Sequence, residues 1–162
     1  MIKENQFMAD AILQAEQAFT IDEVPIGAVI VKNNQIIARA HNRTIIDHNP
    51  LNHCELITLQ QASKKLLSWR LDDCEIYITA EPCAMCLGAI SMARIKKIYY
   101  AIAEPKFGAI ESNQNFFKNY PAYFKPEIYS AINEEKPREL LKEFFQKKRM
   151  LKETSKDRNL TQ

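Results

Sequence analysis

The sequence predicts the α/β class, a sheet covered by helices on both faces. Two observations predict it. After an opening hairpin, stretches of strand character alternate with stretches of helical period. A length of 162 residues, 46% of them hydrophobic and 26% charged, suits one soluble domain able to bury a proper core. No apolar run approaches the ~20 residues of a membrane span. The polar start Met1-Ile2-Lys3-Glu4-Asn5-Gln6 is unlike a secretory leader, so a cytoplasmic location is the default expectation.

Each element has its own signal. Over 5–19, Met8, Ile12, Ala15 and Phe19 recur at a helical period. Val24-Pro25-Ile26-Gly27 ends that helix. Ala28-Val29-Ile30-Val31 and Ile36-Ile37-Ala38-Arg39-Ala40, joined at Asn33-Asn34, read as a β-hairpin. Asn49-Pro50 reads as an N-cap with Pro in the first turn, predicting a helix over 50–66. Glu75 to Thr79 is a strand, and Pro82 opens a helix to about Ala93. Lys97 to Ala101 is another strand and Glu127 to Ile132 a weaker one. Residues 136–150 form an amphipathic helix with Leu140, Leu141, Phe144 and Phe145 inward. The segment 102–125 has no clean period and reads as a substrate loop or a packed irregular stretch. Residues 1–152 are expected to form a single domain and 153–162 a polar, flexible tail.

Two short motifs carry the chemistry. His53-Cys54-Glu55 precedes Pro82-Cys83-Ala84-Met85-Cys86. Cys83 and Cys86 share one face of a helix start, where the helix dipole favours thiolates. With His53 they make three zinc ligands, one short of a tetrahedron, and an open position suits an activated water. Glu55 lies two residues beyond His53, off the metal but bordering the same pocket, where a carboxylate can move protons. Cys54 and Cys74 read as buried small residues. Four cysteines in an unsecreted chain favour metal or catalytic use over disulfides. Taken alone, Cys-x-x-Cys also fits a structural zinc knuckle or a thioredoxin-like redox pair. The first wants a fourth protein ligand, and the second leaves His53 and Glu55 unexplained.

At these residues the chain resembles the cytidine deaminase-like superfamily, and within it the TadA-type tRNA-specific adenosine deaminases. The resemblance covers about 5–152. It takes in Glu23 to Val31, Asn42-Arg43, Ala80 to Cys86, Gly88 to Ile95, Lys106-Phe107-Gly108-Ala109 and Phe144 to Arg149. Departures are Cys54 where Ala is usual, Glu104 for Asp and Phe107 for Thr. The resemblance implies a three-layer α/β/α sandwich around a mixed five-stranded sheet. It further implies one zinc per subunit on His53, Cys83 and Cys86, with Glu55 as the catalytic proton carrier and Asn42 on the purine edge. The implied reaction is hydrolytic deamination of adenosine to inosine at the wobble position of a tRNA, with an ACG-anticodon arginine tRNA expected, by a homodimer. Lys106, Lys147, Lys148 and Arg149 would contact RNA.

Net charge is only +2. From Lys136 onward, however, nine basic residues face four acidic ones, so the C-terminal helix is either a phosphate-binding or a solvated face. The alternative function is a small-molecule deaminase of the same fold, acting on guanine, cytosine or dCMP.

Overall fold

The computed structural model describes residues 2–113 and 115–160, with side chains over 4–113 and 115–154. The elements run α1 (Ile2–Thr20), β1 (Gly27–Lys32), β2 (Gln35–His41), α2 (Cys54–Leu66), β3 (Glu75–Ala80), α3 (Ala84–Met92), β4 (Lys97–Ile102), α4 (Phe116–Asn119), β5 (Glu127–Tyr129) and α5 (Glu135–Leu160). The strands form one mixed sheet in the order β2-β1-β3-β4-β5. β1 is antiparallel to β2 and β3, while β3, β4 and β5 are parallel. Asn33 and Asn34 both have positive φ, 51° and 60°, as a two-residue hairpin turn requires.

Strand alternation divides the core in two. Ala28, Ile30, Ile76, Ile78, Ile98 and Tyr100 pack with Leu59 of α2 and with Leu87 and Ile90 of α3. Val29, Val31, Tyr77, Tyr99 and Ala101 pack with Phe7, Met8 and Ala11 of α1 and with Leu141 of α5. The sheet is therefore the middle of three layers. Close approach fixes Gly27: a Cβ there would lie 2.2 Å from the Ala11 carbonyl of α1.

Several boundaries differ from the sequence expectation. α2 begins at Cys54 rather than near residue 50. Asn49 does not cap a helix. Its Oδ1 accepts from Leu51 N at 3.0 Å and its Nδ2 donates to Asn52 at 2.9 Å, so its side chain builds a local turn instead. α3 begins after Cys83, not at Pro82. α5 runs on to Leu160, while β5 stops at Tyr129. Phe145, expected inward, is 45% exposed; Leu140 and Phe144 are the buried anchors of α5.

Candidate active site

The shifted helix starts change how the ligand residues are held. His53 and Cys83 each sit immediately before a helix, with extended backbone at φ −72°, ψ 144° and φ −73°, ψ 170°. Neither side chain caps its own helix, so both are free to point at each other. Cys86, one turn into α3, completes the group. The Nδ1 of His53 lies 3.5 Å from Cys86 Sγ and 3.9 Å from Cys83 Sγ. All three donor atoms lie within 4.8 Å of one another. A tetrahedral zinc with Zn–N of ~2.0 Å and Zn–S of ~2.3 Å would separate N and S by ~3.5 Å. The donor set therefore fits zinc in both chemistry and spacing, with His53 presenting Nδ1.

Electrostatics at the group follow from burial and hydrogen bonding. Hydrogen bonding from the Cys86 side chain and from His53 holds the Cys83 thiol down at about 4, although burial opposes this. Cys86, fully buried and hydrogen-bonded to Cys83, is pushed upward. His53 is raised, first by its hydrogen bond to Cys83.

Glu55 stands beside this group but is not one of its converging donors. It is 4% exposed, and burial raises its pKa. Cys54 is wholly buried, and its Sγ donates to Glu55 Oε2 at 3.2 Å. The residue read as packing filler thus also touches the carboxylate. Asn42 is buried too, and its Oδ1 accepts from Cys54 N at 2.9 Å. The first N–H of α2, which His53 leaves uncapped, is satisfied by Asn42.

Two carboxylates went unremarked as organisers of the site. Glu23, wholly buried, accepts from Val24 N at 3.0 Å, Ile45 N at 2.7 Å and Ile46 N at 3.2 Å, anchoring the chain that leads to His53. Glu81, at the end of β3, accepts from the backbone of Glu104, Ile110, Glu111 and Ser112 at 3.1, 2.9, 2.8 and 3.1 Å, and from the Ser112 hydroxyl. Burial opposes its ionisation, but these donors hold its pKa down. Both were visible in the sequence as acids at the edge of apolar strands, though nothing local showed which loops they would gather. The segment 104–113 is thus wrapped around one carboxylate, two residues before Cys83.

Gly108 makes this wrap possible. A Cβ there would lie 2.3 Å from Glu81 Oε2 and 2.5 Å from the Glu104 carbonyl. Gly108→Ala is expected to destabilise the fold by about 1–3 kcal/mol. For a chain of this size that is a fall of roughly 2–12 °C in Tm, read by circular dichroism.

The expected RNA contacts come from two separate segments of the chain. Lys106 is on the Glu81-bound loop, whereas Lys147, Lys148 and Arg149 are on α5. Lys147 and Lys148 both pair with Asp22, at 3.6 and 2.6 Å. These pairs are solvated and therefore weak.

The chain matches the MafB19-like deaminase family over residues 2–149. It is 44% identical over 142 residues to the tRNA-specific adenosine deaminase of Rickettsia felis, covering 86% of this chain and 99% of the relative. A solved structure from work on A-to-I editing by tRNA:A34 deaminases at the wobble position of transfer RNA superposes with TM-score 0.81 at 40% identity. That match covers 84% of this chain and 99% of the other. Guanine deaminase from Nitrosomonas europaea shares the fold at 20% identity and TM-score 0.75, over 86% of this chain and 83% of its own.

Proposed function

We propose that this chain, which belongs to the MafB19-like deaminase family and within it to the tRNA-specific adenosine deaminases, hydrolyses adenosine to inosine at the wobble position of tRNA anticodon loops. The observation that carries the reading is the convergence of His53 Nδ1, Cys83 Sγ and Cys86 Sγ beside the buried Glu55. One Zn²⁺ per subunit would be held by those three atoms. When bound, it supplies a Lewis acid able to bring the pKa of a water to ~7.

The chain's own groups do the rest. Glu55 accepts a proton from the attacking water and delivers it to N1 of the adenine as the oxygen adds to C6. The same carboxylate then takes the proton of the new C6 hydroxyl to the amino group, which leaves as ammonia as the C6–N bond breaks and the C6 carbonyl of inosine forms. Burial raises its pKa, which favours uptake of the proton that a shuttle must hold. The Asn42 Oδ1 is engaged by the helix, so its amide N–H₂ is the end that meets the purine edge. An anticodon-loop adenosine is already unpaired, which lowers the few-kcal/mol cost of extruding the base.

Residues 1–152 serve as the deaminase domain. Lys106, Lys147, Lys148 and Arg149 meet RNA phosphates. The weak pairs of Lys147 and Lys148 with Asp22 are readily exchanged for a phosphate oxygen. The active form is a homodimer. The outer face of α2 and α3 carries a shallow apolar groove lined by Leu56, Leu59, Trp69, Ala89 and Met92, with Trp69 66% and Met92 60% exposed, and a second copy would cover it. Among the described residues no helix is long and apolar enough to cross a membrane. The enzyme works in the cytoplasm with its tRNA.

Incubation with an ACG-anticodon arginine tRNA tests the reading. Inosine is expected at the wobble position, and a chelator strong enough to remove zinc should abolish its formation. Robust turnover of free guanine with none on that tRNA would overturn the assignment in favour of a small-molecule deaminase.

A further inference from the structure

We propose that the ring of Phe107 is a stacking platform for the nucleobase beside the reactive adenosine, with Lys106 meeting that nucleotide's phosphate. The proposal rests on the tRNA reading above and adds a subsite to it. Its first support is position. Gly108 forms a β-bridge with Cys83, and Ala109 N donates to the Pro82 carbonyl at 3.0 Å. Phe107 is therefore one residue from backbone paired with a ligand residue.

The second support is how firmly that backbone is held. Gly108 N donates to the Glu104 carbonyl at 2.8 Å, Lys106 N to Glu104 Oε1 at 3.0 Å, and Asn113 Nδ2 to the Lys106 carbonyl at 2.7 Å. Glu81 gathers the same segment from inside. Phe107 itself stays 57% exposed on this pinned loop. A single exposed apolar side chain on a surface is ordinary. One whose backbone is tied on both sides, at the rim of a reaction centre, is a ring that loses little further freedom when a flat ligand lands on it.

The third support is chemistry. Lys106 Nζ lies 4.9 Å from the Phe107 ring centroid, so an aromatic face and an ammonium are presented together. Sites for unpaired nucleic acid use that combination, because every base offers a π-face and every nucleotide a phosphate. The other exposed rings of this region are engaged otherwise: Tyr120 and Tyr123 pack on Phe116 at 5.0 and 5.2 Å. Among the described residues no second aromatic ring stacks on Phe107.

Steady-state deamination of an anticodon stem-loop RNA tests this, using intact RNA and versions made abasic at the nucleotide on either side of A34. Phe107→Leu keeps apolar bulk and removes the π-face. It should raise KM about tenfold on intact RNA while leaving kcat within about twofold. Phe107→Trp should restore KM, which a merely structural role would not predict. On one of the two abasic RNAs, wild type and Phe107→Leu should converge. A KM for Phe107→Leu within about twofold of wild type, or an equal rise on all three RNAs, overturns the platform while leaving the tRNA reading intact. A wild-type enzyme that does not turn over the intact stem-loop overturns both.

Discussion

Replacing Glu55 with alanine is expected to cut tRNA deamination by at least ~10²–10⁴-fold while leaving bound zinc unchanged. The two halves of the result come from different features of the site. Activity falls because the buried Glu55 carboxyl beside the converging donors is lost and the reaction needs protons moved twice; Glu81, the buried acid two residues before Cys83, has its carboxylate taken by loop N–H groups. No neighbour replaces it. The Cys54 thiol, in contact with Glu55, is held well above its usual range by burial and then by the Glu55 charge, so it stays protonated and cannot take up the water's proton. Zinc is expected to stay because, among the described residues, the converging donors are His53, Cys83 and Cys86. Inosine formation read beside zinc content by mass spectrometry separates the two. Zinc lost in Glu55→Ala would make Glu55 a ligand and remove the carrier from the mechanism. Glu55→Gln sharpens the point, since it keeps the side chain's volume and loses only its capacity to ionise.

The residues of the site were legible because their chemistry is local. A His and a Cys-x-x-Cys pair at helix starts can be read from spacing, and so could the five strands, from short apolar runs such as Ala28 to Val31. The hairpin turn followed from Asn33-Asn34, residues that tolerate positive φ. What was not legible depends on contacts distant in sequence. Asn49-Pro50 has the composition of a helix start, but Asn49 spends its amide on a turn, and the true start at Cys54 is satisfied by Asn42, 12 residues away. Residues 104–112 show no period because their order comes from Glu81, about 30 residues upstream of most of the backbone N–H groups it gathers. Phe145 was misplaced for a simpler reason. It adjoins Phe144 on α5, and a helix turns adjacent side chains ~100° apart, so only one of the pair can face the sheet.

Cys83→Ala is expected to lose zinc and, with it, all measurable deamination. Three protein ligands leave a tetrahedral zinc one open position for reaction, and removing one leaves His53 and Cys86 as a weak two-point site. The cost extends to folding, because a metal bound only by the native state stabilises that state. At a free concentration ~1,000 times its Kd, zinc contributes ~4 kcal/mol, and losing it should lower Tm by roughly 8–16 °C in a chain of this size. Cys54→Ala is the control: a thiol buried more deeply than Cys83, next to a ligand residue, that offers no atom to the group. It should retain stoichiometric zinc. Metal content and thermal unfolding measured on both variants decide the matter. Stoichiometric zinc in Cys83→Ala, or zinc lost from Cys54→Ala, would refute this ligand set. The same experiment bears on the redox alternative for Cys-x-x-Cys. A wild-type protein isolated without metal that cycles a Cys83–Cys86 disulfide would place the chain in that class, whereas about one tightly held zinc per chain keeps both sulfurs as ligands.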